Sequence, residues 1–365
     1  MTTITHILQY LQQVAPFNYQ ESYDNSGLLV GDASREVTGV IVALDCTEAV
    51  IDEAIAAGSN VVLTHHPIVF KGLKRLTGAN YVERTVIKAI QNNIALIAIH
   101  TNLDNVYFGV NHIIASKLNL TNQRILAPKA ATLFKLSVFV PHDSEDVVRA
   151  AMAEAGAGRI GDYDQCSFSV EGMGRFRPGT DADPHIGEPG KLETVSETCI
   201  EVVVNQHALK AVEQAMKKAH PYEEVAYNII AILNTNQYIG SGMVGDLAEP
   251  MKTMDFLKFV KETFQCGVVR YTDEVAETVQ RIAVCGGSGG FLLPDAIGAK
   301  ADVFITADYK YHEFFDADGK IVIADIGHFE SEQYTSEWLV SLLMKKFTTF
   351  AVRLANVNTN PINYL

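Results

Sequence analysis

Residues 60–72 read NVVLTHHPIVFKG. The run Val61, Val62, Leu63, Thr64 is apolar and rich in β-branched residues, so it reads as a short buried strand. His65 and His66 follow where that strand should end, and Pro67 stops it. Side chains alternate faces along a strand, so two neighbours reach one site only where the backbone turns. Open α/β sheets keep their chemistry outside the carboxyl ends of the strands. Neutral imidazole is a common metal ligand, so a histidine pair in this place points to a metal. Two partly exposed surface histidines would explain the stretch alone equally well.

The surrounding sequence supplies the sheet. Ile4, Ile7, Leu8, Leu11 and Val14 fall at helical spacing, and Pro16 ends that helix. In the DNSGLLVGD stretch that follows, Asp24, Asn25 and Gly27 read as a structural turn near a pocket. Residues 40–44 read as a strand, 47–57 as a helix that Thr47 can cap, and 81–92 as a second helix. Residues 94–99 form a buried strand ending in His100, followed by TNLDN. Strands alternating with helices of this length imply a mostly parallel sheet. Asp104 then sits past a second strand end, on the same edge as the histidine pair, with His100 nearby. An Asx-turn is the plain alternative for Asp104.

From about residue 130 the pattern changes to strand, helix, strand, strand, helix, strand, the ferredoxin-like βαββαβ order. Residues 128–236 are expected to be a separate α+β domain inserted into an α/β body made of 1–127 and 237–365. HPYEE (220–224) lies between the last helix and strand of the insert, as a loop packed by its own tyrosine or a ligand site.

After residue 237 the alternation resumes. Residues 282–285 are a strand followed by GGSGG, which suits either an anion on its amides or close strand–helix packing. The strand at 303–306 leads to ADYKYHEF, and the strand at 321–326 to GHFESE. His328 and Glu332 are four apart at a helix start, a spacing that brings both to one side. The chain therefore reads as two related α/β halves meeting through their strand ends. His65, His66, Asp104, His328 and Glu332 would share one cleft. Three imidazoles and two carboxylates exceed one tetrahedral zinc and suit two metals ~3.5–4 Å apart.

Composition narrows the classes. Hydrophobic residues are 48% and charged residues 20%, an ordinary globular balance, and no apolar run nears the ~20 residues of a membrane span. A net charge of −14 argues against nucleic acid as a partner. Five widely spaced cysteines without a CxxC pair fit a reducing cytoplasm, and the N-terminal residues lack the basic region of a signal peptide.

THHP, HTNLDN, GGSGG and GHFESE, in that order, resemble the Nif-three-like family of dinuclear-metal-centre proteins, whose members carry the label GTP cyclohydrolase 1 type 2 homologue. The resemblance covers both α/β halves, and the longer bacterial members carry an insert resembling the PII/CutA-type domain. It implies metal ligands at His65, His66, Asp104, His328 and Glu332, and a toroidal homohexamer with the metals facing an inner cavity. Two divalent ions are implied, zinc first, with Fe, Mn or Co suited to the same donors.

Two functions follow as expectations. One is a metal-dependent hydrolase of the GTP cyclohydrolase type, acting on a small-molecule substrate such as a nucleotide through a water acidified by two cations. His312 and His100 would shuttle protons, and Lys310 or the GGSGG amides would hold a phosphate. The other is non-catalytic: metal storage, metal delivery or ligand sensing.

Overall fold

The computed structural model describes residues 1–365. They form two compact units: Met1–Pro128 together with Gln237–Leu365, and Lys129–Asn236.

In the first unit, five strands form a sheet in the order Gly27–Val30, Ala95–Ala98, Val61–Thr64, Gly39–Ala43 and Ala351–Leu354. The last four are mutually parallel, and Gly27–Val30 covers one edge antiparallel. The three central strands are buried at every position, which is why their sequences are continuous apolar runs and not alternating ones.

A second sheet has six strands, in the order Arg270–Tyr271, Val322–Asp325, Val303–Thr306, Thr278–Val284, Gly240–Lys252 and Thr121–Pro128. Only its central Val322–Asp325, Val303–Thr306 and Thr278–Val284 run parallel; the flanking pairs are antiparallel. A mostly parallel arrangement thus describes the first sheet and only the middle of the second. The difference has a topological cause. Thr121–Pro128 and Gly240–Lys252 pair as a hairpin, which needs no crossover helix, and the other unit is the loop of that hairpin.

The halves trade strands. Thr121–Pro128 follows the helix Val110–Lys117 of the first half yet joins the second sheet. Ala351–Leu354 follows the helix Tyr334–Lys346 of the second half yet lies beside Gly39–Ala43 in the first sheet. One hydrophobic core accordingly holds Val40, Leu63 and Ile97 together with Ile282, Ile305 and Leu343.

The second unit has the βαββαβ order, with a four-stranded sheet ordered Phe168–Phe176, Glu193–Asn205, Leu133–Pro141 and Tyr227–Ala231 and antiparallel throughout. Helices Glu145–Glu154 and Leu209–Ala219 cover one face, where Val148, Met152, Val212 and Met216 pack on Leu136, Val138, Ile200 and Val202.

Candidate metal centre

At the end of Val61–Thr64 the chain turns, and Thr64 Oγ1 closes the turn by donating to the His66 carbonyl at 2.8 Å. Both imidazoles then face the same space, with ring centroids 5.0 Å apart. His65 is fully buried and its Nδ1 donates to the Ile99 carbonyl at 2.8 Å. A carbonyl only accepts, so Nδ1 carries the proton and Nε2 presents a lone pair to the interior. His66 is turned by Asp45: its Nδ1 donates to Oδ1 at 2.7 Å.

The next strand end brings His100 and Asp104, the latter closing the short helix Thr101–Asp104. His100 Nδ1 donates to Asp24 Oδ1 at 2.7 Å. The His100 ring lies 5.3 Å from that of His65 and 5.4 Å from that of His66. Asp104 Oδ1 lies 3.6 Å from His65 Nε2.

From the second sheet come His328 and Glu332, on the short helix His328–Glu332. His328 Nδ1 donates to Asp308 Oδ2 at 2.8 Å, and its Nε2 lies 3.3 Å from His66 Nε2. Glu332 spans the cluster. Its Oε2 is 2.9 Å from His66 Nε2 and 3.2 Å from His328 Nε2, and its Oε1 is 3.8 Å from His65 Nε2. All four imidazoles follow one rule: Nδ1 is tied outward, and Nε2 faces inward with the two carboxylates. Three of the four anchors are carboxylates, the arrangement that fixes ring orientation and raises basicity in metal-binding histidines.

Asp24, Asp45 and Asp308 in these anchoring roles are additions to the sequence reading. Asp24 also accepts from Thr101 Oγ1 and the Thr101 amide, so one side chain organises the whole loop before Asp104.

Without a cation the cluster stores protons. Burial alone would depress the His66 imidazole, but the hydrogen bonds to Asp45 and Glu332 outweigh it and raise it to about 9. Burial likewise opposes His328, which the charge of Glu332 and the Asp308 bond raise to about 11. Burial and the neighbouring Glu332 charge push the Asp104 carboxyl up to about 7. Burial would raise Glu332 too, yet the three imidazoles hold it well below the usual carboxylate range.

The donor set fits divalent cations. His65 Nε2 and Asp104 Oδ1 are both buried, lack any hydrogen-bond partner and lie 3.6 Å apart, which is costly unless something sits between them. The inward-facing donor atoms fall into three overlapping groups: His65, His66 and His100; His66, His328 and Glu332; and His65, Asp104 and Glu332. Cys285 lines the adjoining space, but burial raises its thiol, so the donors are nitrogen and oxygen.

A cavity of about 210 Å³ opens beside the cluster, lined by Tyr23, His100, Asn105, Asn111, Ser241 and Phe291 among others. The GGSGG loop forms its wall, though not as an anion cradle. The amides of Gly286, Gly287 and Gly289 are already bound by Asn111, Ser331 and Thr306. The glycines make room instead. A Cβ on Gly287, which has φ +60°, would stand 2.6 Å from Glu332 Oε1 and 3.1 Å from His328 Cε1.

His312 and Lys310 are not brought to the cluster. After Asp308 the chain enters a 3₁₀ turn, Tyr311–Ala317, that carries both outward. Lys310 is exposed and reaches only Glu313, at 3.3 Å, and the exposed His312 ring lies against Tyr311 and Phe315. Neither lines the cavity, whereas His100 does.

Comparison with known proteins agrees with this architecture. The sequence model of the Duf34/NIF3 (NGG1p interacting factor 3) family matches residues 2–361. A "GTP cyclohydrolase 1 type 2 homolog" of Staphylococcus aureus (strain MSSA476) is 37% identical over 367 residues, spanning 99% of this chain and 100% of the relative. One from Halalkalibacterium halodurans is 37% identical over 98% of both chains. The crystal structure of a Bacillus cereus protein related to NIF3 superimposes with a TM-score of 0.86 at 34% identity, covering 100% of this chain and 99% of that one.

Proposed function

Since the chain belongs to the Duf34/NIF3 family, we propose that it is a dinuclear-metal-dependent hydrolase of the GTP cyclohydrolase 1 type 2 kind. The observation that carries this reading is the convergence of four outward-anchored imidazoles with Asp104 and Glu332 around two unpartnered buried donor atoms. His65, His66, Asp104, His328 and Glu332 would hold the ions, with His100 facing the same space. Zinc suits these donors first, and Fe, Mn or Co are held by the same set.

Bound ions would supply Lewis acidity to a polarised substrate oxygen or carbon–nitrogen bond. The chain's own groups do the rest. Asp24 holds the His100 proton on Nδ1, leaving Nε2 to accept or return a proton at the cavity. Asn105 and Asn111 shape the cavity wall: Asn105 Oδ1 accepts from Ser241 Oγ, and Asn111 accepts the Gly286 amide and donates to the Asp104 carbonyl. A cavity of about 210 Å³ is below the ~300–1,000 Å³ that enclose a whole drug-sized ligand, so it takes in the reacting group while the remainder of a nucleotide stays outside. Five free cysteines suit a cytoplasmic protein, and assembly as a toroidal homohexamer accords with the family resemblance.

The outward position of His312 and Lys310 favours a second reading, metal storage or delivery, because it leaves His100 as the proton carrier. Metal analysis of the purified protein, followed by product analysis with GTP, separates the readings. About two ions per chain with metal-dependent ring opening supports the hydrolase. Two exchangeable ions without turnover supports storage or delivery, and absence of bound metal defeats both.

The anchors should matter as much as some ligands. Thr359 Oγ1 donates to Asp45 Oδ2 at 2.8 Å, and Asp45 orients His66. In Asp45→Asn the amide NH₂ can meet His66 Nδ1 only by switching the imidazole tautomer, which turns Nε2 into a donor. Metal affinity should fall about 10–100-fold by chelator competition, and Thr359→Val should show a smaller loss that Thr359→Ser restores.

A further inference from the structure

We propose that the second unit carries a separate binding site for a small organic cation with an apolar body. The site is a cavity of about 820 Å³ on the sheet face opposite the helices. That volume lies within the range that encloses small-molecule ligands.

The floor is set by strand register. Val170, Cys199 and Phe139 are direct cross-strand partners and share a face. Gly172 and Glu197 form the next row on the same face. The helix-packed residues Leu136, Val138 and Ile200 alternate with them onto the other side. Gly172 leaves open space where a side chain would stand, with nothing within 4 Å of its Cβ position. Gly174 is needed for another reason: a Cβ there would lie 2.0 Å from Glu197 Oε2. Glycine within a strand marks a place where something approaches the backbone closely.

The HPYEE segment builds the wall. His220 is structural, since its Nε2 donates to the Phe139 carbonyl at 2.9 Å and its Nδ1 accepts the Tyr222 amide at 3.1 Å. This fixes Tyr222 over the floor, with its ring 5.9 Å from that of Phe176. Glu223 accepts the Asp183 amide at 3.2 Å, and Gly190 donates to the Pro178 carbonyl at 2.9 Å, so the 177–192 loop is tied down as a roof.

The chemistry of the occupant follows from Glu197. This residue is only 9% exposed. Its Oε1 accepts the Tyr222 hydroxyl at 3.0 Å, and no basic side chain pairs with the carboxylate. A buried carboxylate is costly unless a cation or several donors meet it. The Tyr222 and Phe176 rings beside it offer faces that attract cations. Glu223 and Glu224 add to Glu197 on the lining, against Arg177 and the exposed His185 beside Tyr222. Glu171 and Arg175 pair across the ladder with Thr198 and Thr194, in the row that alternates away from the floor. A protonated amine or amidine on an aromatic or aliphatic body satisfies these groups together.

The test uses the full-length protein and three probes of matched shape: phenethylammonium, its neutral counterpart 2-phenylethanol and the anion 3-phenylpropionate. Binding is followed by calorimetry and by ligand-detected NMR. Phenethylammonium should bind, with the alcohol at least about tenfold weaker and the anion not detected. Glu197→Gln should weaken the cation about tenfold or more. Gly172→Leu should block it by filling the open floor while leaving the charge intact. Both variants should keep their metal content, which separates failure here from failure of the hydrolase reading. Binding that is unchanged in both variants, a preference for the anion, or no binding of phenethylammonium by the folded wild type would overturn the proposal.

Discussion

Glu332→Ala should purify with less than half the metal of the wild type and should lose what remains to a chelator about 100-fold faster. The expectation rests on the span of one carboxylate. One oxygen faces His66 and His328, and the other faces His65, so removing the side chain takes a donor from both halves of the cluster. Losing an outer anchor of a metal site costs about 10–100-fold in affinity, and loss of a shared inner donor should reach at least the upper end. The variant should still fold at neutral pH. Breaking a buried Arg–carboxylate pair strands a charge, whereas imidazoles that lose their carboxylate can shed their protons. Glu332→Gln keeps the volume and provides the control. Metal content equal to wild type in both variants would show that the cations sit elsewhere.

Metal uptake should strengthen steeply with pH and should release protons. Cations need deprotonated donors, and the cation-free cluster holds its protons more tightly than free side chains do. The Asp104 carboxyl is raised to about 7, His66 to about 9 and His328 to about 11. Both histidines should hold their second proton at pH 7, so addition of metal should liberate about two protons per chain, readable in a pH-stat, with a raised Asp104 adding to the release. Apparent affinity should climb from pH 7 to 9. Stability of the metal-free protein should move the other way. A histidine whose folded value is raised contributes stability that is complete below its ordinary value of 6.5 and is lost as pH rises through the folded value. The metal-free protein should therefore weaken from about pH 6.5 upward, the His66 contribution being lost by about 9 and that of His328 by about 11, while apparent metal affinity climbs. Uptake independent of pH would contradict the protonated cluster.

The residues that meet in this cluster are readable from sequence where local pattern carries the information. His65, His66 and Asp104 follow apolar runs, and His328 with Glu332 adds helical spacing, so their strand-end positions are visible without distant contacts. The anchoring aspartates are not visible in this way. Asp24 meets its histidine across 76 residues, Asp45 across 21 and Asp308 across 20, and each lies in a turn where aspartate is common for local reasons. His312 and Lys310 mislead because they too follow a strand end, but the next turn points them to solvent. The strand exchange is equally hidden. Nothing in residues 351–354 says that they pair with 39–43 and not with the nearer sheet.

That exchange has a consequence for how the molecule is made. The strand Gly39–Ala43 leaves the ribosome early with one edge bare, and its neighbour Ala351–Leu354 follows only after the rest of the α/β body has been synthesised. At roughly 5–20 residues per second, the nascent sheet waits about 15–60 s for its last strand. The helix carrying His328 and Glu332 also follows the whole first half in the chain, so the donor cluster closes after the first half has been made and not while it is folding. Ribosomes that stall or terminate before residue 351 would release chains with an open parallel edge and an unfinished cluster. Such chains are candidates for aggregation or proteolysis.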